Sequence, residues 1–239
     1  MKVIEQDNNL TDRILTMAKD LGADIVGVAD PQVFTNPDYQ GNNPLNLLPS
    51  LKSIILIGVF IPKGAFVPLP GGRGLYTNTL MAGTATLRVM AYSVARVLER
   101  EQYIATIAPS EGSEFGYWYA DKKTFMADFS MKYAAYSAGL GSFGKNHLFI
   151  SDAYGSRVRF TAILTDASLQ PGTRSDTFIH KACMNCSACI DACPPKALKH
   201  DGTISRESCA MYMFETLGGL RCGMCIRACP LSCPEGDGI

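Results

Sequence analysis

Cys183-Met184-Asn185-Cys186-Ser187-Ala188-Cys189-Ile190-Asp191-Ala192-Cys193-Pro194 is the stretch from which the rest of the chain can be read. Three cysteines at two-residue gaps, then a fourth before a proline, are the run that presents thiolates to [4Fe–4S] clusters. A second set follows: Cys209, then Cys222-Gly223-Met224-Cys225 and Cys229-Pro230. Eight thiolates fill two cubanes, and Cys233 is left over from the nine cysteines. Pro194 and Pro230 close the loops, because proline cannot continue a hydrogen-bonded turn. A chain built this way moves single electrons.

In the bacterial ferredoxin arrangement the fourth cysteine of a run serves the other cluster. Cys183, Cys186 and Cys189 then take one cluster with Cys229. Cys222 and Cys225 take the other with Cys193 and Cys209. Cys209 lies further upstream than a simple repeat places it, so it is expected on the segment Arg206–Phe214. Disulfides would need an exported chain, and Met1–Asn9 lacks the features of a signal peptide. Zinc favours two Cys-x-x-Cys pairs over a triplet followed by Cys-Pro. Cys233 reads as structural.

The 239 residues suffice for one medium core and a small appendage. Lys and Arg number 22, as do Asp and Glu, so the chain as a whole offers no excess of positive charge to a polyanion. The longest apolar run, Ile54–Ile61, is too short to cross a bilayer. Free thiols and no export signal make a soluble cytoplasmic protein with no membrane partner the expectation.

Leu10, Ile14, Met17, Ala18 and Leu21 recur at helical spacing, and Gly22 ends that helix. Asp24–Ala29 reads as a short strand. Ser53–Phe60 reads as a central strand, apolar on both faces as parallel or fully covered strands are. Pro68–Gly74, with three glycines and two prolines, reads as a mobile or ligand-facing loop. The longest helical pattern is Tyr76–Arg100. Strands follow at Tyr103–Ala108, His147–Ile150 and Arg157–Leu164, with a helix over Thr124–Ser137. Alternating helices and strands imply a layered α/β domain over residues 1–170, and residues 171–239 form the cluster domain.

Gly139-Leu140-Gly141-Ser142-Phe143-Gly144-Lys145-Asn146 is the second informative segment. Glycines this dense let a backbone approach a flat or anionic ligand, and Lys145 and Arg157 could pair with amide or phosphate oxygens. The same pattern also reads as a helix end and a tight turn into a strand. A helix before it and a strand after it reverse the order of a dinucleotide fingerprint. Pattern alone leaves both readings open.

Four blocks together resemble the epoxyqueuosine reductase family and the related corrinoid-dependent reductive dehalogenases. They are Ala18–Ala29; Leu48–Ile55; Ala138–Asn146, continued by Gly155–Arg157 and Ile163–Asp166; and the cysteine set with its upstream Cys209. The resemblance implies a nitroreductase-like core that holds cobalamin beside a ferredoxin-like domain with two [4Fe–4S] clusters. The clusters would feed the corrin cobalt, which reaches Co(I) and reduces a substrate. By position, Gly139, Gly141, Gly144, Lys145 and Asn146, with Ser156 and Arg157, would line the corrin. Asp121 stands where the family carries a catalytic acid, although an aspartate at a helix start is as readily a solvated one. Tyr76 is a second candidate proton donor.

Two departures bear on the substrate. Epoxyqueuosine reductases usually continue into a helical-repeat tail that helps hold tRNA, and this chain stops just after Cys233. Dehalogenases usually carry an export signal and a longer core. No tRNA is therefore expected, and the partner is a small-molecule substrate or a redox partner protein. No Asp-x-His-x-x-Gly occurs, so a corrin would bind without a cobalt-ligating histidine from that motif, and His147, His180 and His200 read as ordinary polar or core residues. The competing function is an electron-transfer module that reduces or reactivates a corrinoid protein. FMN in the core is a lesser option. In each case the cofactor carries the chemistry and the protein sets position and potential.

Overall fold

A strand that is apolar on both faces needs cover on both sides. The computed structural model, which describes residues 8–114 and 117–233, supplies it around a four-stranded antiparallel sheet. The strands are β1 (Ile25–Ala29), β2 (Ser53–Phe60), β3 (Ala105–Ala108) and β4 (Val158–Thr165), in the order β1-β2-β4-β3. The two central strands pair over their full length, from Ser53 opposite Thr165 to Phe60 opposite Val158. The helices are α1 (Asn8–Asp20), α2 (Arg73–Arg100) and α3 (Met131–Ser137).

Side chains alternate across a strand, and here the alternation sorts the two cores. Ile55, Ile57 and Val59 of β2 and Ile163 of β4 pack with Leu10 and Ile14 of α1 and Leu87, Met90 and Val94 of α2. Ile54, Leu56, Phe160, Ala162 and Leu164 face the other way, onto Ala134 and Ala135 of α3. β2 is thus an antiparallel strand covered on both faces. Gly58 gives its place to a neighbour, because a Cβ there would lie 2.7 Å from the Phe160 ring.

α1 ends where Gly22 takes φ +99°. The sequence pattern over Thr124–Ser137 yields a shorter helix. Asp121 accepts hydrogen bonds from the Thr124 N–H and hydroxyl, at 2.7 and 2.8 Å, which holds that segment in a turn. Ser130 then caps α3, its hydroxyl accepting from Tyr133 N–H at 3.2 Å.

Three short helices carry the cysteine region: α4 (Ala188–Asp191), α5 (Arg206–Met211) and α6 (Met224–Arg227). Cys209 lies on α5, the segment its spacing indicated. Hydrogen bonds stitch this region to the core. Phe143 N–H donates to Phe178 C=O at 2.7 Å, and His180 N–H returns to Phe143 C=O at 2.8 Å. Ser156 meets Ser232 through their hydroxyls at 2.7 Å, and Arg221 N–H donates to Thr77 Oγ1 at 2.9 Å. Among the described residues no helix is long and apolar enough to cross a membrane.

The sheet should carry most of the stability. Ile57 has no exposure and sits on a central strand. Ile57→Ala should cost about 2–5 kcal/mol in urea unfolding, because the lost transfer energy and the residual cavity add.

Candidate functional site

The cysteine region repeats one local design. α4 carries Cys189 and α6 carries Cys225, and each helix is followed by a Cys-Pro pair, Cys193-Pro194 and Cys229-Pro230. The thiols then sort into two groups. Burial pushes Cys189 up to about 11, and neighbouring Cys229, Cys183 and Cys186 push the same way. Burial pushes Cys225 up to about 12, with Cys209 and Cys222 the strongest neighbours. Cys209 is raised by burial, then by Cys193 and Cys222. Cys193 lies on one cavity wall with Cys209, Cys222 and Cys225, while Cys229, Cys183 and Cys186 act on Cys189. Among the described residues no three His, Cys, Asp or Glu side chains close on one point as ligands of a single ion would.

A cavity of about 470 Å³ opens between the core and the second of these groups. Cys193, Cys209, Cys222 and Cys225 all lie on its wall. Facing them are Tyr76, Glu111, Lys132, Asn146 and Arg159. The volume lies in the range of pockets that enclose a small organic ligand.

Sheet and helix geometry brings these polar groups together. Arg159 shares its face of β4 with Ile163, two alternations on, so it points to the α2 side. There its guanidinium donates to the hydroxyl of Tyr76, on the first turn of α2, at 3.4 Å. Burial raises the Tyr76 phenol above its ordinary value, while Arg159 pulls the other way. Glu111 stands between two guanidinium groups, 3.7 Å from Arg159 and 3.5 Å from Arg221. Lys132 donates to the His147 carbonyl at 2.6 Å. Burial lowers the Lys132 ammonium to about 8, and Arg159 and Arg206 push it down further.

The expected site residues divide. Tyr76 and Asn146 reach the cavity wall. Gly139, Gly141 and Gly144 lie off the cavity wall. A Cβ on Gly139 would lie 2.1 Å from the Thr173 carbonyl oxygen, and on Gly141 2.2 Å from that of Ile150. On Gly144 it would meet Asn146 Oδ1 at 2.6 Å. The missing side chains make room for the protein's own backbone, so a valine at 141 would disturb the fold before it met any ligand. Lys145 donates to the carbonyls of Met184 and Cys186, at 3.0 and 3.2 Å, and so braces the outer cysteine loop. Arg157 is buried and donates to the Ile61 carbonyl, and Ser156 is the contact to Ser232. Asp121 is exposed and caps its own turn, while Ala120 and Phe125 beside it line the cavity.

Sequence reading missed Lys132, Arg159, Glu111, Arg221 and Gly223. Parity along β4 could have placed Arg159, but lone charged residues in a chain of balanced charge gave no other signal. Gly223 takes φ +69° between two cysteines, and a Cβ there would lie 2.7 Å from the Tyr76 ring. The cysteine loop and the tyrosine can touch only because that side chain is absent.

His147 supplies a pH-dependent tie. Its Nε2–H donates to the Gly202 carbonyl at 3.0 Å, and burial first, then the nearby Lys132, hold its pKa below the ordinary value. The folded state therefore binds its proton later than the unfolded chain as pH falls. The stabilising contribution is complete above the ordinary histidine value and is lost as pH falls through the lower folded one. His147 has φ +58°, which asparagine tolerates. In melting scans from pH 7.5 downward, His147→Asn should show a shallower acid loss of Tm than wild type.

No family model matches the chain. Among curated proteins it is 27% identical to the epoxyqueuosine reductase of Bacillus cereus over 222 residues, covering 86% of this chain and 54% of that protein. It is 36% identical to the Lactococcus garvieae enzyme of the same name over 81 residues, 34% of this chain and 22% of that one. A tetrachloroethene reductive dehalogenase of Desulfitobacterium hafniense is 37% identical over 67 residues, 28% of this chain and 12% of that protein. The chain spans about half the length of the curated relative it matches over most of its own length. Among solved structures, an epoxyqueuosine reductase with an epoxyqueuosine-modified tRNA stem loop superposes at TM-score 0.64 and 20% identity, over 97% of this chain and 67% of that one. A catabolic reductive dehalogenase in complex with 3-bromo-4-hydroxybenzoic acid gives 0.73 at 16% identity, over 100% and 34%. The expectation that tRNA is no partner does not stand, since a relative of this fold holds a tRNA stem loop. Zero net charge was the wrong guide, because charge averaged over a chain does not report a local site: among the described residues, Lys132, Arg159, Arg206 and Arg221 gather on one cavity with Glu111. The chain is similar in sequence to epoxyqueuosine reductases and shares the fold of those enzymes and of reductive dehalogenases.

Proposed function

We propose that the chain is a cytoplasmic iron–sulfur reductase. The observation that carries this reading is a cavity with four cysteine thiols on one wall and a tyrosine–arginine pair on the other. Two [4Fe–4S] clusters fit the donor set. Cys183, Cys186, Cys189 and Cys229 would hold the outer one, and Cys193, Cys209, Cys222 and Cys225 the one at the cavity. A run of three cysteines at two-residue gaps closed by Cys-Pro suits a four-iron cubane rather than a zinc ion, which favours two Cys-x-x-Cys pairs. Two clusters together store the electron pair that a two-electron reduction uses.

The core would be the nitroreductase-like part over residues 1–170, and residues 171–239 the ferredoxin-like part. Cobalamin is the cofactor proposed at the mouth of the cavity, which at about 470 Å³ would take only part of a corrin, with Asn146 and Tyr76 on its walls and no cobalt ligand from His147, whose Nε2 is engaged with Gly202. When bound, the corrin supplies a strongly reducing cobalt centre. The chain's own residues do the rest. Tyr76, a phenol held protonated by burial, delivers a proton into the cavity. Arg159 then stabilises the phenolate, and Glu111 fixes Arg159 in place. Lys132 and Arg206 add positive charge where an anionic substrate group would sit. Asp121, exposed beside the cavity-lining Ala120 and Phe125, is the alternative proton donor to Tyr76.

Of the relatives' substrates, the tRNA-borne epoxide is the first to test, because the long sequence match is to the epoxyqueuosine reductase of Bacillus cereus. Anaerobic protein reconstituted with cobalamin and given a low-potential donor should remove the epoxide from epoxyqueuosine tRNA, read by nucleoside mass spectrometry. Tyr76→Phe should lower kcat by about 10²–10⁴-fold, the usual range for a lost general acid. No turnover by wild type on this tRNA or on halogenated hydroxybenzoates would end the reductase reading.

Cluster content is separately measurable. Anaerobic protein should carry about eight irons per chain, by the thiolate count. Cys233→Ser should leave that number intact. Gly223→Val would push a side chain into Tyr76 from a backbone that valine strains to adopt, so iron should fall to about four as the cavity-side cluster is lost.

A further inference from the structure

Arg73 stands in the wrong place for an ordinary helix. It is the first residue of the 28-residue helix α2, and the first turn holds no acidic residue. Its N-cap, Gly72, offers no side-chain acceptor. The N-terminus of a helix is its positive end and favours anions, so a cation there is repelled unless a negative group lies close by. The guanidinium is fixed all the same. Nη1 donates to the Pro70 carbonyl at 2.6 Å and Nη2 to the Tyr212 hydroxyl at 3.3 Å. Its Nε is buried and has no hydrogen-bond partner. A buried N–H without an acceptor is costly, so an acceptor belongs there.

The surroundings identify that acceptor. One turn along α2, Thr77 Oγ1 accepts the N–H of Arg221, the residue before Cys222. Between them in the chain, the Tyr76 ring fills the space beside Gly223. Tyr212, which holds Nη2, lines the cavity together with Cys222 and Cys225. Tyr76 and Thr77 thus seat the start of α2 against the Cys222–Cys225 loop, and Arg73, one turn earlier on the same helix face, lies beside Tyr212 of the same wall. Arg221, the next guanidinium along this wall, already has Glu111, the Gly219 carbonyl and the Phe214 ring.

Resting on the two-cluster reading, we propose that Arg73 sets the reduction potential of the cavity-side cluster, its buried Nε–H donating to a cluster sulfur and its charge stabilising the reduced state. Hydrogen bonds to the sulfurs, net charge and solvent exposure govern such potentials. The helix N-terminus acts in the same direction, so the cluster carries the compensation that the cation at the head of α2 needs. Arg73 is a tuning residue and does not touch the substrate.

The test is an anaerobic redox titration of wild type, Arg73→Met and Arg73→Lys, followed by electron paramagnetic resonance with iron content measured on each sample. In Arg73→Met one of the two midpoints should fall while the other stays. The reduced-to-oxidised ratio of that cluster at a fixed potential should drop about tenfold, ~59 mV for a one-electron couple. Arg73→Lys keeps the charge and loses the fork, so its midpoint should lie between wild type and Arg73→Met. Eight irons with unmoved midpoints, or with both midpoints shifted equally, would overturn the role of Arg73 and leave the two-cluster reading standing. Four irons in wild type would remove that reading itself, and the proposal with it. Loss of one cluster in both variants would make Arg73 a structural prop and would also overturn the proposal.

Discussion

The Tyr76 ring occupies the space that a side chain on Gly223 would need, and most of the site's geometry follows from that contact. It brings the first turn of α2 against the Cys222–Cys225 loop. It also leaves the phenol hydroxyl facing Arg159 at the end of β4. A sheet residue, a helix residue and a cysteine loop, far apart in the chain, are positioned by one packing event. The ion pairs of Glu111 with Arg159 and with Arg221 then lock the arrangement from both sides. Such a network is demanding. With Glu111 removed, two little-exposed guanidinium groups would lose the carboxylate they share, a loss that costs several kcal/mol in comparable buried pairs.

The elements that could be read from sequence are those whose signal is periodic or covalent in origin. Ser53–Phe60 emerges as a strand with the bounds its apolar run indicates, and Tyr76–Arg100 as the greater part of α2. The cysteine spacing is equally local, and Cys209 lies on the helix segment where that spacing put it. Both depend on neighbours within a turn or two, so the order of residues carries them directly.

The cavity's polar wall is a different kind of fact. Arg159, Glu111, Lys132 and Arg221 come from four separate segments and meet only after β4 pairs with β2 and α2 packs on the sheet. Apart from the strand parity of Arg159, nothing in their local sequence marks them. The glycine loop shows the converse. Gly139, Gly141 and Gly144 look like a ligand cradle, yet each gives its space to a carbonyl or side chain of the protein itself. Glycine density reports close approach and does not say what approaches. The Asp121 turn misleads in a similar way, since a capping aspartate and a catalytic one occupy the same kind of sequence position.

Charge illustrates why the substrate was hardest to read. Equal numbers of acidic and basic residues argue against a polyanion only if the charges are mixed evenly over the surface. Among the described residues, Lys132, Arg159, Arg206 and Arg221 converge on one cavity beside Glu111, and anionic clusters on the cysteine wall would offset part of that excess. The same positive field would serve two purposes. It would stabilise electrons on the cluster nearest the cavity, and it would draw in a substrate or nucleic-acid group of negative charge. A site that must both collect electrons and receive an anion has to concentrate its cations, and a chain that keeps its net charge at zero can do so only by placing its acidic residues elsewhere.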